Sequence, residues 1–114
     1  MSSPDSKQPL PALVIDLPLS ATEHFEILGR NNAVRMRSGL VTLKPGVEVG
    51  SHNTEDYEEL IVVLEGAGEV ETTGEGKRKL ACGQVAYNPP HTQHNVINTG
   101  KELMRYIYIV SKAE

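Results

Sequence analysis

The four histidines of this 114-residue chain, His24, His52, His91 and His94, are the side chains that bind a metal ion or exchange a proton near neutral pH. Their surroundings decide which of them can do so. His52 follows Pro45-Gly46-Val47-Glu48-Val49-Gly50-Ser51, where Val47, Val49 and Ser51 alternate with Glu48, Gly50 and His52, so His52 is expected to end a strand. Glu59 begins the next apolar run, after the polar loop from Asn53 to Tyr57. With a period of two, Glu59, Ile61 and Val63 share one face, and Glu58, Leu60 and Val62 share the other. Both faces are apolar, so periodicity leaves open which of them points inward. A carboxylate on an inward row needs a partner, because an unpaired buried charge is costly, and a metal ion is such a partner.

The second group is Pro89-Pro90-His91-Thr92-Gln93-His94, after the strand-like Gln84-Val85-Ala86-Tyr87. A proline pair cannot continue a central strand, so it sets a turn and the direction in which His94 points. His94 then opens a strand with Val96 and Asn98 on its face. Two imidazoles and a carboxylate from three strands make a three-ligand site with open coordination positions, which suits one divalent transition metal: Fe, Mn, Ni, Cu or Zn. Taken one at a time, these residues carry blander readings. A lone strand-end histidine is usually a surface or hydrogen-bonded group, and adjacent Glu58 and Glu59 usually form a solvated edge. His24 has no second ligand type at matching spacing and reads as structural. Cys82, beside Gly83, reads as a small buried or half-buried residue without the electropositive setting of a reactive thiol.

The elements that position these groups read as short strands. Val34-Arg35-Met36-Arg37 alternates; Leu40-Val41-Thr42-Leu43, Leu60-Ile61-Val62-Val63-Leu64 and Arg105-Tyr106-Ile107-Tyr108-Ile109-Val110 are β-branched and aromatic. Turn signals recur at Pro45-Gly46, Gly66-Ala67-Gly68, Gly74-Glu75-Gly76, Gly83, Pro89-Pro90 and Thr99-Gly100. Ser20-Ala21-Thr22-Glu23 suits a capping box opening a helix through Leu28, but the stretch suits a strand equally well. The expectation is an all-β domain over 12–114, closed so that few edges are exposed, behind a flexible polar tail over 1–11. The net charge of −4, from 11 basic and 15 acidic residues, comes without a basic block, which argues against nucleic acid. Lys77-Arg78-Lys79 reads as a solubilising turn cluster. No apolar run is long enough to span a membrane, the N-terminus lacks a secretory apolar region, and the single cysteine forms no intrachain disulfide; a cytoplasmic location is expected.

In combination, these residues resemble the cupin superfamily, in its small single-domain, RmlC-like form. Its first motif is matched by Gly46, His52, Glu59 and Gly66, and its second by Gly83, Pro89, His94 and Asn98, across residues 46–98. The resemblance implies a jelly-roll barrel, or double-stranded β-helix, with the metal at its mouth on His52, Glu59 and His94. There are two departures. Thr54 stands where the first motif has its second histidine, and His91 stands where the second has a glycine. His91 is therefore a possible fourth ligand or an acid/base group at the mouth. Met36, Thr54, Tyr87 and Tyr106 are candidate cavity-lining residues, while Arg35 and Arg37, on the row opposite Met36, either pair with an acidic substrate or face water, and water is the expected outcome. The family's activities imply a small-molecule enzyme, of dioxygenase or isomerase type. The alternatives are a metal- or ligand-binding module without turnover, or a metal-free sugar or nucleotide-sugar isomerase or epimerase using His52 or His94 as base and Tyr106 or Tyr108 as acid. A homodimer is expected, joined through Leu13-Val14-Ile15 and the strand from Tyr106 to Val110.

Overall fold

The structure is a computed structural model and describes residues 10–113; the expected tail over 1–11 falls outside it except for Leu10 and Pro11, which are exposed and irregular. All regular elements among the described residues are strands: β1 (Phe25–Leu28), β2 (Met36–Leu43), β3 (His52–Asn53), β4 (Tyr57–Glu65), β5 (Ala67–Thr72), β6 (Gly76–Ala81), β7 (Val85–Asn88), β8 (Gln93–Ile97) and β9 (Met104–Lys112). They form two antiparallel sheets, ordered β1-β2-β9-β4-β7 and β3-β8-β5-β6. No helix among the described residues is long and apolar enough to cross a membrane.

Within the open stretch 20–28 no helix forms: residues 20–24 are irregular and Phe25–Leu28 is strand. Phe25 pairs with Leu40 and Glu26 with Gly39, so the apolar residues there complete a sheet edge. The residues before β1 cross the outer face of the larger sheet, where Ala21 O accepts from Thr42 Oγ1 (3.4 Å) and Arg105 Nη1 (3.1 Å).

Alternation along β4 settles which face is inward. Glu59, Ile61 and Val63 are buried, and Leu60 and Leu64 are exposed. The core joins Leu43, Ile61, Val63, Met104 and Tyr106 of the larger sheet to Val70, Leu80 and Val96 of the smaller. Each such side chain contributes about 1.5–3 kcal/mol of apolar burial. The stretch before His52 departs from the expected strand. Only Glu48 bridges to Ile97, Gly50 turns with φ +109°, and His52 begins a two-residue strand instead of ending a longer one.

Candidate metal centre

Strand register brings the three expected groups together from facing rows. On the larger sheet Glu59 pairs with both Val110 and Asn88, and Val110 pairs with Arg37. On the smaller sheet His94 pairs with His52 and with Thr72. Closing one sheet over the other leaves one ligand atom each of His52, Glu59 and His94 within 4.8 Å of one another. The two imidazole centroids are 4.1 Å apart with the planes at 61°. Glu59 and His94 are buried, and His52 is exposed at the rim.

Hydrogen bonds assign the ring nitrogens. His94 Nδ1 lies 3.0 Å from Thr92 O and His52 Nδ1 lies 2.9 Å from Gly50 O. A carbonyl only accepts, so each Nδ1 carries the hydrogen and each Nε2 is left with a lone pair. His94 Nε2 then faces Glu59 Oε1 at 3.0 Å, two acceptors against each other. Without an added proton or cation that contact is no hydrogen bond, and Nε2 is a buried atom lacking a partner, as are Thr72 Oγ1 and Asn88 Oδ1 nearby. Glu59 Oε1 accepts one hydrogen bond, from Asn88 Nδ2 at 3.0 Å. Burial opposes the charged imidazolium of His94, but Glu59 and the Thr92 carbonyl outweigh it, and the pKa is raised above its ordinary 6.5. A divalent ion answers the same electrostatic need as the proton. The donor set of two Nε2 atoms and a carboxylate fits a transition metal.

Thr54 occupies the place of the missing histidine and does a different job. Its hydroxyl donates to Pro89 O (2.6 Å) and accepts from Thr92 N (2.9 Å), while Thr54 N donates to Thr92 O (3.1 Å). It braces the proline turn and, through Thr92 O, the ring of His94. His91 stands apart from the three-residue group. It is exposed at φ +57°, with its N–H donating to Glu55 O at 2.9 Å, so it occupies the left-handed conformation for which the family motif has glycine.

Two cavities adjoin the group and share His52, Glu59, His94 and Val110. One, of about 310 Å³, has walls that include Val41, Ile61, Val96 and Tyr106. The other, of about 230 Å³, is lined by Arg37, Asn53, Thr54 and Tyr57. Of the expected lining residues, Thr54 and Tyr106 are therefore in place. Burial, the Glu59 charge and Tyr108 all push the pKa of Tyr106 well up, so its hydroxyl stays protonated. Met36 is 43% exposed at the start of β2 and Tyr87 is 54% exposed on the outer face, its hydroxyl donating to Glu58 Oε1 at 2.8 Å. Neither lines these two cavities. The inward row of β2 is that of Arg37, Gly39 and Val41, not that of Met36, which puts Arg37 at the mouth and not in open water. His24, read as structural, lines the larger cavity beside Tyr108. The one cue to it was Gly39, since glycine inside a strand often marks close approach. Cys82 is exposed in the turn after β6, not buried, because its backbone N–H is tied to Gly66 O (2.9 Å) and the turn lies on the surface.

A barrel of two antiparallel sheets with this site is the architecture of the cupins, and the cupin domain family model matches residues 39–110. The chain belongs to the cupin domain family. Among solved structures it is similar to a cupin 2 conserved barrel domain protein from Salinispora arenicola, with TM-score 0.74 and 20% identity over 90% of this chain and 91% of that one. It is also similar to a predicted oxalate decarboxylase from Thermotoga maritima, with TM-score 0.73 and 22% identity over 78% of each chain. The Cnp3 cupin domain of Schizosaccharomyces pombe aligns at TM-score 0.71 and 18% identity, covering 78% of this chain and 63% of that chain. No curated protein matches the chain.

Proposed function

We propose that this cupin is a metal-dependent small-molecule enzyme of oxygenase or isomerase type, with one divalent transition ion held by His52 Nε2, His94 Nε2 and a Glu59 oxygen. The observation that carries this reading is the acceptor-to-acceptor contact of His94 Nε2 and Glu59 Oε1 at 3.0 Å, in a buried setting that only a cation or proton satisfies. Two histidines and one carboxylate with open positions match the donor set of non-haem iron sites, so Fe(II) is the first ion to test. Bound there, the ion supplies Lewis acidity or oxygen activation. The chain's own groups do the remaining work. Asn88 orients Glu59, Thr92 O orients His94, and Arg37 puts a positive charge at the mouth that suits an anionic ligand. A small-molecule partner fits the size of the cavities. The outer face of the larger sheet supports a homodimer, with only Ile107 and Ile109 of the expected stretch from Tyr106 to Val110 available to it, since Tyr106, Tyr108 and Val110 line the cavity.

Elemental analysis of protein purified without chelators tests the reading. The expected result is about one transition ion per chain, lost in His94→Ala and Glu59→Gln. No stoichiometric metal, with none retained on reconstitution by Fe, Mn, Ni, Cu or Zn, would sink it.

A further inference from the structure

The larger cavity has a second polar feature, away from the metal group. His24 Nε2 lies 3.0 Å from the hydroxyl of Tyr108, with the two rings stacked at 5.9 Å and 16°. Both residues line the same cavity as His52, Glu59 and His94. Tyr108 pairs with Ile61 and Gly39, one inward row along from the row of Glu59 and Val110, a step of roughly 7 Å along a strand. The pair depends on Gly39. A methyl group there would lie 2.6 Å from the Tyr108 hydroxyl oxygen and 2.7 Å from His24 Nε2. Along this stretch the walls are apolar: Val110 stands in the row of Glu59, Ile61 in the row of Tyr108, and Val96 one row from His94 on the smaller sheet.

The pair's chemistry selects its complement. If His24 Nε2 accepts the tyrosine proton, the phenol oxygen retains lone pairs for a donor. If Nε2 carries the hydrogen, the phenol keeps its own proton for an acceptor. A ligand hydroxyl, which both donates and accepts, suits either arrangement. We propose that His24 and Tyr108 form the recognition arm of the cavity, and that the site takes small hydroxylated carboxylates. The acid group sits at the metal, a short apolar stem lies against the valine and isoleucine walls, and the hydroxyl meets Tyr108. This rests on the metal-centre reading, which leaves open positions for a carboxylate oxygen, and Arg37 at the adjoining cavity favours the same charge.

The experiment uses the full chain loaded with zinc, titrated by calorimetry with the ω-hydroxy acids from 3-hydroxypropionate to 6-hydroxyhexanoate and with the matched unsubstituted acids. One hydroxy acid should bind about tenfold more tightly than its plain partner. Tyr108→Phe should erase that gain, bringing each hydroxy acid to the affinity of its plain partner in the same variant. His24→Leu, at an exposed position, and Gly39→Ala should each reduce it. Equal affinities for hydroxy and plain acids across the series overturn the proposal, as does a gain that survives Tyr108→Phe, or no acid binding to zinc-loaded protein. Failure of Fe, Mn, Ni, Cu and Zn alike to bind in a preceding metal titration is a separate result. It defeats the metal-centre reading itself, and the recognition arm falls with it.

Discussion

His94 is held between two acceptors, Thr92 O at 3.0 Å and Glu59 Oε1 at 3.0 Å, so it needs either a second proton or a metal. In the metal-free protein its pKa is raised above the ordinary value of 6.5. The stability this contributes is fully present below pH 6.5 and is lost as pH rises through the raised value. Thermal melts of metal-free protein across that range should fall with rising pH, and His94→Gln should flatten the dependence. Metal binding displaces the same proton, so metal affinity should rise with pH where stability of the metal-free form falls. His91 makes a separate prediction. A non-glycine residue at φ +57° is strained, and His91→Gly should stabilise the fold by about 1 kcal/mol, read from denaturant unfolding. Unchanged metal affinity in that variant would remove His91 from the ligand set; a large loss would restore it.

Between strands, the proline turn joining β7 to β8 and the loop joining β3 to β4 are tied by one side chain. Thr54 Oγ1 donates to Pro89 O and accepts from Thr92 N. Thr54→Val keeps the shape but leaves Pro89 O and Thr92 N without that partner. The expected cost is about 1–3 kcal/mol of stability, measured by chemical denaturation. Because Thr92 O also aims His94, metal affinity should fall roughly 10- to 100-fold, measured by competition with a chromophoric chelator. Stability loss with undiminished metal affinity would show that the turn does not aim the ring. β2 carries the corresponding lesson about register. The repeating pattern around Met36 and Arg37 was visible in the sequence, but pairing of Val41 with Tyr106 and Gly39 with Tyr108 decides that the Arg37 row is the inward one.

For the whole molecule, the outer face of the larger sheet is the feature that calls for a partner. Leu60 sits beside Tyr87 and Ile109, and Val62 beside Val85 and Ile107, a continuous apolar patch by register. Leu60, Val85 and Tyr87 are 37%, 60% and 54% exposed, and Val14 in the segment before β1 is 99% exposed. Apolar patches of this kind mark association surfaces. Light scattering after size exclusion should give a homodimer, and Leu60→Glu, on the face away from the cavities, should give a monomer. A monomeric wild type would refute the pairing.

Read alone, the sequence determined the all-β class and most of its strands, and it singled out His52, Glu59 and His94, which the fold brings within 4.8 Å of one another, because alternation and turn residues are local and the two motifs keep their spacing. It left open whether Phe25–Leu28 is strand, and it misplaced the inward row of β2, with Met36 toward the cavity, Arg37 in water and His24 as merely structural. Those depend on which residues lie across from one another in a closed barrel. His24 and Tyr108 are 84 positions apart, and they meet only because β1 and β9 both flank β2 and because Gly39 has no side chain to keep them apart. Periodicity records which residues share a face; only packing of one sheet on another decides what that face meets.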